Sequence, residues 1–370
     1  MLTRTLGGRG ATPMHSARFF KWDSSGHPIY SGGKDPAMAM EKLKEEISEV
    51  AGKVNASLLQ LSSSHSGALS EAAFHLIKLG GKRLRPFVVT KCCELVGGSA
   101  DDALPAAVSI ELLHNFTLIH DDVMDEDDFR HGAPTVHKVY GMPAAIIAGD
   151  MLFAMVFNNA YEAFSKRNVD KSVILRVLEV MSEAAITVCE GQWMDMSLQK
   201  KHDASEELYL LLAAKKTGSL YRASALAGGI VGGASDIELA KLSLFGERVG
   251  QAFQIVDDIL GAVGDPKVTG KPVGSDLKNG KPTMIVLHGM KNSSSEERES
   301  ILKVFGKQDA LEKDVLEALE VLKKVGSISY GRRRAIEISE QAKAELSSFP
   351  ESKFKSSLQN FCDFVVSRVY

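Results

Sequence analysis

Residues 116–132 read FTLIHDDVMDEDDFRHG. A largely apolar run, Phe116 to Ile119, leads through His120 into Asp121, Asp122, Asp125, Glu126, Asp127 and Asp128. Asp121 and Asp125 are four apart, so a helix carries them on one face, roughly 6 Å apart along its axis. His114 and Leu118 share that face further back, so it changes from apolar to acidic along its length. Two carboxylates so placed repel each other unless a cation lies between them. The C-terminal end of a helix, the negative pole of its dipole, is a poor place to leave them as mere solvated charge. Hard oxygen ligands with few other partners suit Mg²⁺, which takes one or two carboxylates and completes its shell with substrate phosphates and water.

Outward from this stretch the helical spacing continues. In MEKLKEEISEVAGKVNASLLQL, residues 40–61, apolar side chains fall three and four apart between charges. Segments 104–125, 143–165, 171–198, 205–229, 236–262, 280–291, 297–304, 309–324 and 328–347 read the same way. Breaks fall at VGGSADD, YGMP, GGASD, GDPKVTGKPVGSD and SSFPES. Alternating strand patterns and a fixed-period repeat are absent. The fold class predicted is all-α, a single multi-helix bundle over residues 37–370. Residues 1–36 are read as a disordered or weakly ordered extension, with Met14, Met38 and Met40 as alternative starts. A second reading of that extension is an organelle transit peptide, because Arg4, Arg9, Arg18 and Lys21 precede the first acid, Asp23.

The 370 residues carry 44 basic and 47 acidic side chains, a net charge of -3. That lacks the basic excess of a nucleic-acid binder. Cys92, Cys93, Cys189 and Cys362 show no C-x-x-C spacing, so they read as small buried apolar residues in a reducing, cytoplasmic setting. The most apolar run, MPAAIIAGDMLFAMVF, is split by Asp150, and no transmembrane helix is predicted from it.

A second acidic cluster lies in GQAFQIVDDILG, where Gln254, Asp257 and Asp258 share a helical face. Four residues after Asp257 stands Gly261, so this helix offers one strong metal position rather than an i, i+4 pair. Cations gather in loops. GGKRLRP sets Lys82, Arg83 and Arg85 around Pro86, which is read as a first helical residue. Cations there oppose the helix dipole, an arrangement that suits a docking anion. Lys216 and Thr217 in KKTGS, Lys271 in TGKP and Lys281 in NGKPT are further candidates, and none fits the spacing of a Walker-type loop. Two acidic metal positions and several phosphate-sized basic spots imply a polyphosphate substrate, whose apolar chain lies along the helix that ends in Asp121.

In that order and at these separations, GGKRLRP, LIHDDVMDEDDFRHGAPTVH, AGD, EGQWMD, KKTGSL, GQAFQIVDDILG and TGKPVGSDLKNGKPT resemble the trans-isoprenyl diphosphate synthase (polyprenyl synthetase) family over residues 45–370, and most of all its archaeal-type geranylgeranyl diphosphate synthases. The resemblance implies an all-α fold around a deep central cavity, a homodimer, and three Mg²⁺ ions. Asp121 and Asp125 match the holders of two ions and Asp257 that of the third, with Asp122 and Asp258 in support. Arg130, Lys216 and Lys271 match contacts to the allylic diphosphate, and Lys82, Arg85 and His114 match contacts to isopentenyl diphosphate. Gln192 and Gln254 line the site, and their amides, with the Thr217 hydroxyl, are the dipoles that would steady a carbocation. Phe116, five positions before the first Asp, matches the floor that limits product length. The activity implied is condensation of isopentenyl diphosphate with allylic diphosphates, with geranylgeranyl diphosphate as main product. The alternatives are a farnesyl or longer-chain synthase, or a non-catalytic subunit of a heteromeric one.

Two departures from the family pattern stand out. His131 occupies a position where the family usually has a second arginine, so its charge is expected to change near neutral pH. Gly261 replaces the third acid of the second motif.

Overall fold

Capping side chains fix where several of the long helices start. The computed structural model describes residues 21–22, 28–29, 36–264 and 273–368. Helix α1 spans Pro36–Ser64, followed by the short α2 (Ala68–Ala73) and α3 (His75–Lys78) and by α4 (Leu84–Leu95). Ser99 and Asp102 form a capping box that opens α5, Ala100–Met124, four residues earlier than the apolar periodicity alone predicts. Pro105 lies inside α5 and cannot donate to the carbonyl of Asp101. The Arg167 guanidinium donates to that carbonyl instead, so the helix survives its proline.

After α6 (Val136–Tyr140) come α7 (Met142–Lys166) and α8, whose observed span Lys171–Leu198 matches the predicted segment end to end. The Asp170 side chain accepts from Ser172 N–H and starts α8. The segment read as one helix over 205–229 is α9 (Glu206–Ala213), a π-helical turn (Ala214–Gly218) and α10 (Ser219–Gly232). A Ser235–Glu238 capping box opens α11, Asp236–Val263. Then follow α12 (Ser275–Lys278), α13 (Met284–Asn292), α14 (Ser295–Leu302), α15 (Glu312–Lys324), α16 (Ser327–Glu345) and α17 (Lys353–Ser367). The predicted all-α class holds. The strands among the described residues are two-residue ladders, Lys21–Trp22 with Pro28–Ile29 and Phe129–Arg130 with Ala133–Pro134. Apart from the first ladder, the N-terminal extension read over 1–36 lies outside the described residues except for Pro36.

Helix α10 is the centre, packed by α4, α5, α8 and α11. Many of its buried residues are small, among them Ala223, Ser224, Ala225 and Ala227, so neighbouring backbones close in around it. Helix α5 runs along α7 and supplies fully buried Ile110, Leu112 and Leu113 to the core. Helix α7 is long and apolar enough to cross a membrane by length and composition, despite Asp150, with a mean hydropathy of 1.3. It lies against α5, which accounts for the apolar side of its surface.

Arg83 corrects the reading of the first basic loop. It is 5% exposed, adopts a left-handed φ of 50°, and pairs with Glu111 at 2.7 Å. It also donates to Asn55 and to the carbonyl of Ile77. It anchors the loop rather than facing an anion. Helix α4 consequently begins at Leu84, and Pro86 is its third residue, still within the first turn whose N–H groups need no intrahelical partner.

Candidate active site

The end of α5 keeps the predicted register. Asp125 caps the helix, and its N–H donates to the Asp121 carbonyl at 2.8 Å. Both carboxylates open into a cavity of about 850 Å³. Across it α11 presents Gln254, Asp257 and Asp258, α4 and its loop present Lys82 and Arg85, and α8 presents Gln192. His114, Phe116, Arg130, His131, Lys216, Thr217 and Lys281 also line it. The structure thus gathers the predicted site residues with two exceptions. Asp122 is 1% exposed and sits beneath the motif rather than on the wall. Lys271 lies outside the described residues.

Internal cations occupy the first acidic cluster. Lys216 Nζ lies 3.3 Å from Asp121 and Lys281 Nζ lies 3.2 Å from Asp125. Arg130, on the Phe129–Arg130 strand, donates to Asp122 and lies 3.4 Å from Asp127 and 3.9 Å from Asp121. Burial alone would raise the Asp121 carboxyl, but Lys216, Lys281 and Arg130 outweigh it and hold Asp121 below its ordinary value. Asp122 goes the other way: burial pushes it up to about 6 against the pull of Arg130. Among the described residues, no three His, Cys, Asp or Glu side chains converge as a ready-made metal cage. The donor set still fits Mg²⁺, because carboxylates in ones and twos beside basic side chains suit an ion that draws its remaining ligands from phosphates and water.

Asp195, on α8, has a role that the sequence reading passed over. It is 6% exposed and lies 2.5 Å from Lys216 and 3.9 Å from Lys281. It holds the two lysines between itself and the Asp121–Asp125 pair. The signal was available in EGQWMD, where Asp195 follows Gln192 by three, and one helical turn brings both to the same wall. Asp195→Asn removes the shared counter-charge and lets the lysine heads drift. Turnover is expected to fall about tenfold, as small misplacements of binding groups do. A steady-state assay checks it, and unchanged turnover would remove Asp195 from the site.

The π-helical turn sets Lys216 and Thr217. A Cβ on Gly191 of α8 would come within 2.5 Å of the Lys216 backbone nitrogen, and one on Gly250 of α11 within 2.4 Å of the Gly218 Cα. Only glycines let α8 and α11 close on this turn, whose extra residue swings both side chains into the cavity. Thr217 donates to the Gln254 carbonyl oxygen, Gln254 Nε2 donates to Asp258 at 2.8 Å, and the Tyr209 hydroxyl donates to Asp258 at 2.6 Å. Burial and the neighbouring Asp276 push the Asp258 carboxyl up to about 8, against these two hydrogen bonds. Asp257 pairs with Arg368 at 2.9 Å.

The Gly261 departure has a spatial counterpart. A Cβ there would meet Asp276 Oδ2 at 2.9 Å, so the carboxylate of α12 fills the place beside the second motif where a third acid would project.

Basic and unpartnered polar groups gather on the side of the cavity lined by Lys82, Arg85 and His114. Arg85 Nη1 lies 3.1 Å from His114 Nε2, and its guanidinium stacks 4.7 Å over the Tyr221 ring. Arg85 Nε, His114 Nδ1, Gln192 Nε2 and the Tyr221 hydroxyl are buried without hydrogen-bond partners. Such orphans are costly unless a ligand meets them. Burial, then Arg85 and Arg130, drive the His114 imidazole well below its usual range. His131 is likewise lowered, by burial first and then by Arg130 and Arg83, so it is neutral at pH 7 rather than poised there.

The comparisons agree with this geometry. Residues 66–322 match the family described as Polyprenyl synthetase. A short chain isoprenyl diphosphate synthase of Methanothermobacter thermautotrophicus is 39% identical over 331 residues, 90% of this chain and 95% of that protein. A geranylgeranyl diphosphate synthase of Saccharolobus solfataricus is 37% identical over 333 residues, 90% of this chain and 99% of that protein. The crystal structure of a geranylgeranyl pyrophosphate synthetase from Pyrococcus horikoshii superposes with a TM-score of 0.80 at 40% identity, covering 89% of this chain and 99% of that one. Sequence, fold and the ordered motifs agree, and the chain belongs to the polyprenyl synthetase family.

Proposed function

We propose that this chain condenses isopentenyl diphosphate with allylic diphosphates and releases geranylgeranyl diphosphate as its main product. The observation that carries the reading is the single cavity with acids from α5 and α11 at one end, unpartnered basic and polar groups beside them, and the apolar face of α5 leading away. The relatives named above for the same twenty-carbon product support it.

In this reading Asp121 and Asp125 would hold two Mg²⁺ ions and Asp257 a third, and the bound metal would supply Lewis-acid charge to the departing diphosphate. Lys216, Lys281 and Arg130 lie among the first-motif acids, placed to bind the allylic diphosphate. Lys82, Arg85 and His114 hold isopentenyl diphosphate. The allylic C–O bond breaks with its electron pair going to the diphosphate. The isopentenyl double bond then attacks the cation, forming a C–C bond, and a proton leaves to the released diphosphate as the new double bond forms. Lone pairs of Thr217 and Gln254 face the cation, and the apolar wall excludes water that would convert it to an alcohol.

The described residues act as one domain, and the molecule as a homodimer in a reducing, cytoplasmic compartment. Exposed apolar side chains on α7 and α8, among them Ile146, Ile147, Ile186 and Trp193, are the surface that a second copy would cover. Cys92, Cys93 and Cys362 are buried free thiols as the sequence suggests, whereas the free thiol of Cys189 is exposed rather than buried. The deciding experiment incubates the purified chain with Mg²⁺, isopentenyl diphosphate and allylic primers of several lengths, and sizes the products. A twenty-carbon main product is expected; no condensation with any primer would refute the reading.

His131 yields a pH test. A protonated imidazole binds a diphosphate better than a neutral one. Because burial and Arg130 lower its pKa, the free enzyme loses that proton below the ordinary value of about 6.5. The Michaelis constant for isopentenyl diphosphate is expected to begin rising below that pH as pH increases, rather than above it. His131→Arg, always charged, flattens the rise. A wild-type and variant profile that run parallel would place His131 outside the contact.

A further inference from the structure

The second aspartate of the second motif does not face the cavity as a free ligand. Asp258 is 7% exposed, and each of its oxygens is taken by a protein donor. Oδ1 accepts from Gln254 Nε2 at 2.8 Å and Oδ2 accepts from the Tyr209 hydroxyl at 2.6 Å. Tyr209 is itself 4% exposed and stands eight residues before Thr217, on the helix that runs into the π-helical turn. Thr217 donates back to Gln254. The hydrogen bonds and the chain between Tyr209 and Thr217 thus form a closed loop joining α9, the turn and α11.

We propose that Tyr209 and Asp258 are positioning residues that fix the polarity of the cavity wall by holding the Gln254 amide in one of its two orientations. A primary amide has one accepting and one donating end. Asp258 Oδ1 accepts, so it takes the amide nitrogen, and the amide oxygen must turn to Thr217. Thr217 has a single hydroxyl proton, which that oxygen consumes. What remains at these two groups is oxygen lone pairs and the second Gln254 N–H, with the oxygen end of the amide fixed toward Thr217. A flipped amide would instead bring its N–H₂ to Thr217 and set a positive dipole end where a carbocation forms. The ionised carboxylate serves, and so does the acid with its proton on Oδ2 met by the Tyr209 oxygen, because Oδ1 still accepts; a proton on Oδ1 would admit the flipped amide. Asp258 therefore acts through Gln254 rather than as a metal ligand.

This inference rests on the proposed prenyl transfer, and its test separates the two. Tyr209→Phe keeps the ring and removes the anchor. Its kcat is expected to fall on the order of tenfold, with KM for both diphosphates and the half-saturating Mg²⁺ concentration moving less than about twofold, the pattern of an interaction used in the transition state alone. In a Gln254→Leu background the same substitution should change kcat by less than about twofold, since no amide is left to orient. Asp258→Asn is the second variant. Its carbonyl can face Gln254 and its amide nitrogen the Tyr209 oxygen, so it should stay within about threefold of wild type at unchanged Mg²⁺ requirement, whereas Asp258→Leu falls as Tyr209→Phe does. A Tyr209→Phe defect that persists at full size without Gln254 overturns the proposal, because that is how a merely structural role behaves. So does no defect at all, or a raised Mg²⁺ requirement in Asp258→Asn. A wild-type chain that condenses nothing overturns the prenyl-transfer reading itself, and this inference with it.

Discussion

Asp121→Ala and Asp125→Ala are each expected to lower turnover by about a thousandfold or more, since a metal-assisted ionisation draws several kcal/mol of barrier reduction from its charged groups. The fold should survive. Asp121 and Asp125 both end α5, and the hydrogen bond between them there is backbone to backbone, so it is indifferent to either side chain. The cations keep other partners: without Asp121, Lys216 still has Asp195 at 2.5 Å, and Arg130 still donates to Asp122. Single-turnover rates with saturating allylic substrate read the chemical step directly, and thermal melting reads the fold. Near-normal turnover in either variant would sink the assignment of the first motif. A collapse of the melting temperature alongside lost activity would mean that the carboxylates serve the fold instead.

The same residues show what was legible in the sequence. The i, i+4 pair Asp121 and Asp125, the 254–258 cluster and the long helices were readable because each is a local pattern: a spacing, a cap, a run between breakers. Helix α8 was placed to the residue for that reason. What escaped depends on contacts distant in the chain. Arg83 looked like one more cation in a basic loop, and only Glu111, 28 positions away, makes it a buried anchor. The π-helical turn at Ala214–Gly218 was invisible because its composition is ordinary helix, and the glycines that pack on it belong to two other helices. Helix α17 was not singled out, although Phe354, Leu358, Phe361 and Val365 repeat at helical spacing, and with it went Arg368, which reaches Asp257. Asp276 filling the space beside Gly261 is a tertiary substitution that a motif read along one helix does not contain.

Phe116→Ala is expected to move the main product from twenty carbons to twenty-five or more. Helix geometry set a difficulty: five residues before Asp121 is a rotation of about 140° away from its direction. The cavity nevertheless reaches Phe116, together with Thr117, Leu118 and His120, so it follows more than one face of α5. There the ring is braced. It meets His120 edge-on at 4.9 Å and Phe153 at 5.1 Å, and Phe153 meets Phe157 at 5.2 Å. Phe116 is thus the first of three aromatic rings in tilted and edge-on contact across α5 and α7. Forcing another five-carbon unit against such a packed ring costs ~1–3 kcal/mol, the range for overfilled cores. Removing the ring cancels that cost and adds apolar burial of ~0.8 kcal/mol per methylene. The relief of about 1–3 kcal/mol alone favours the longer product by about 5- to 150-fold over its wild-type share, and the burial adds to it. Phe153 behind the gap limits the gain, so Phe116→Ala should stop one or two units later rather than run on, and the double variant Phe116→Ala, Phe153→Ala should run further still. Product sizing after reaction with isopentenyl diphosphate and a fifteen-carbon primer decides it. If Phe116→Ala loses thermal stability yet still stops at twenty carbons, the ring is core packing between α5 and α7, and the stop lies on another wall of the cavity.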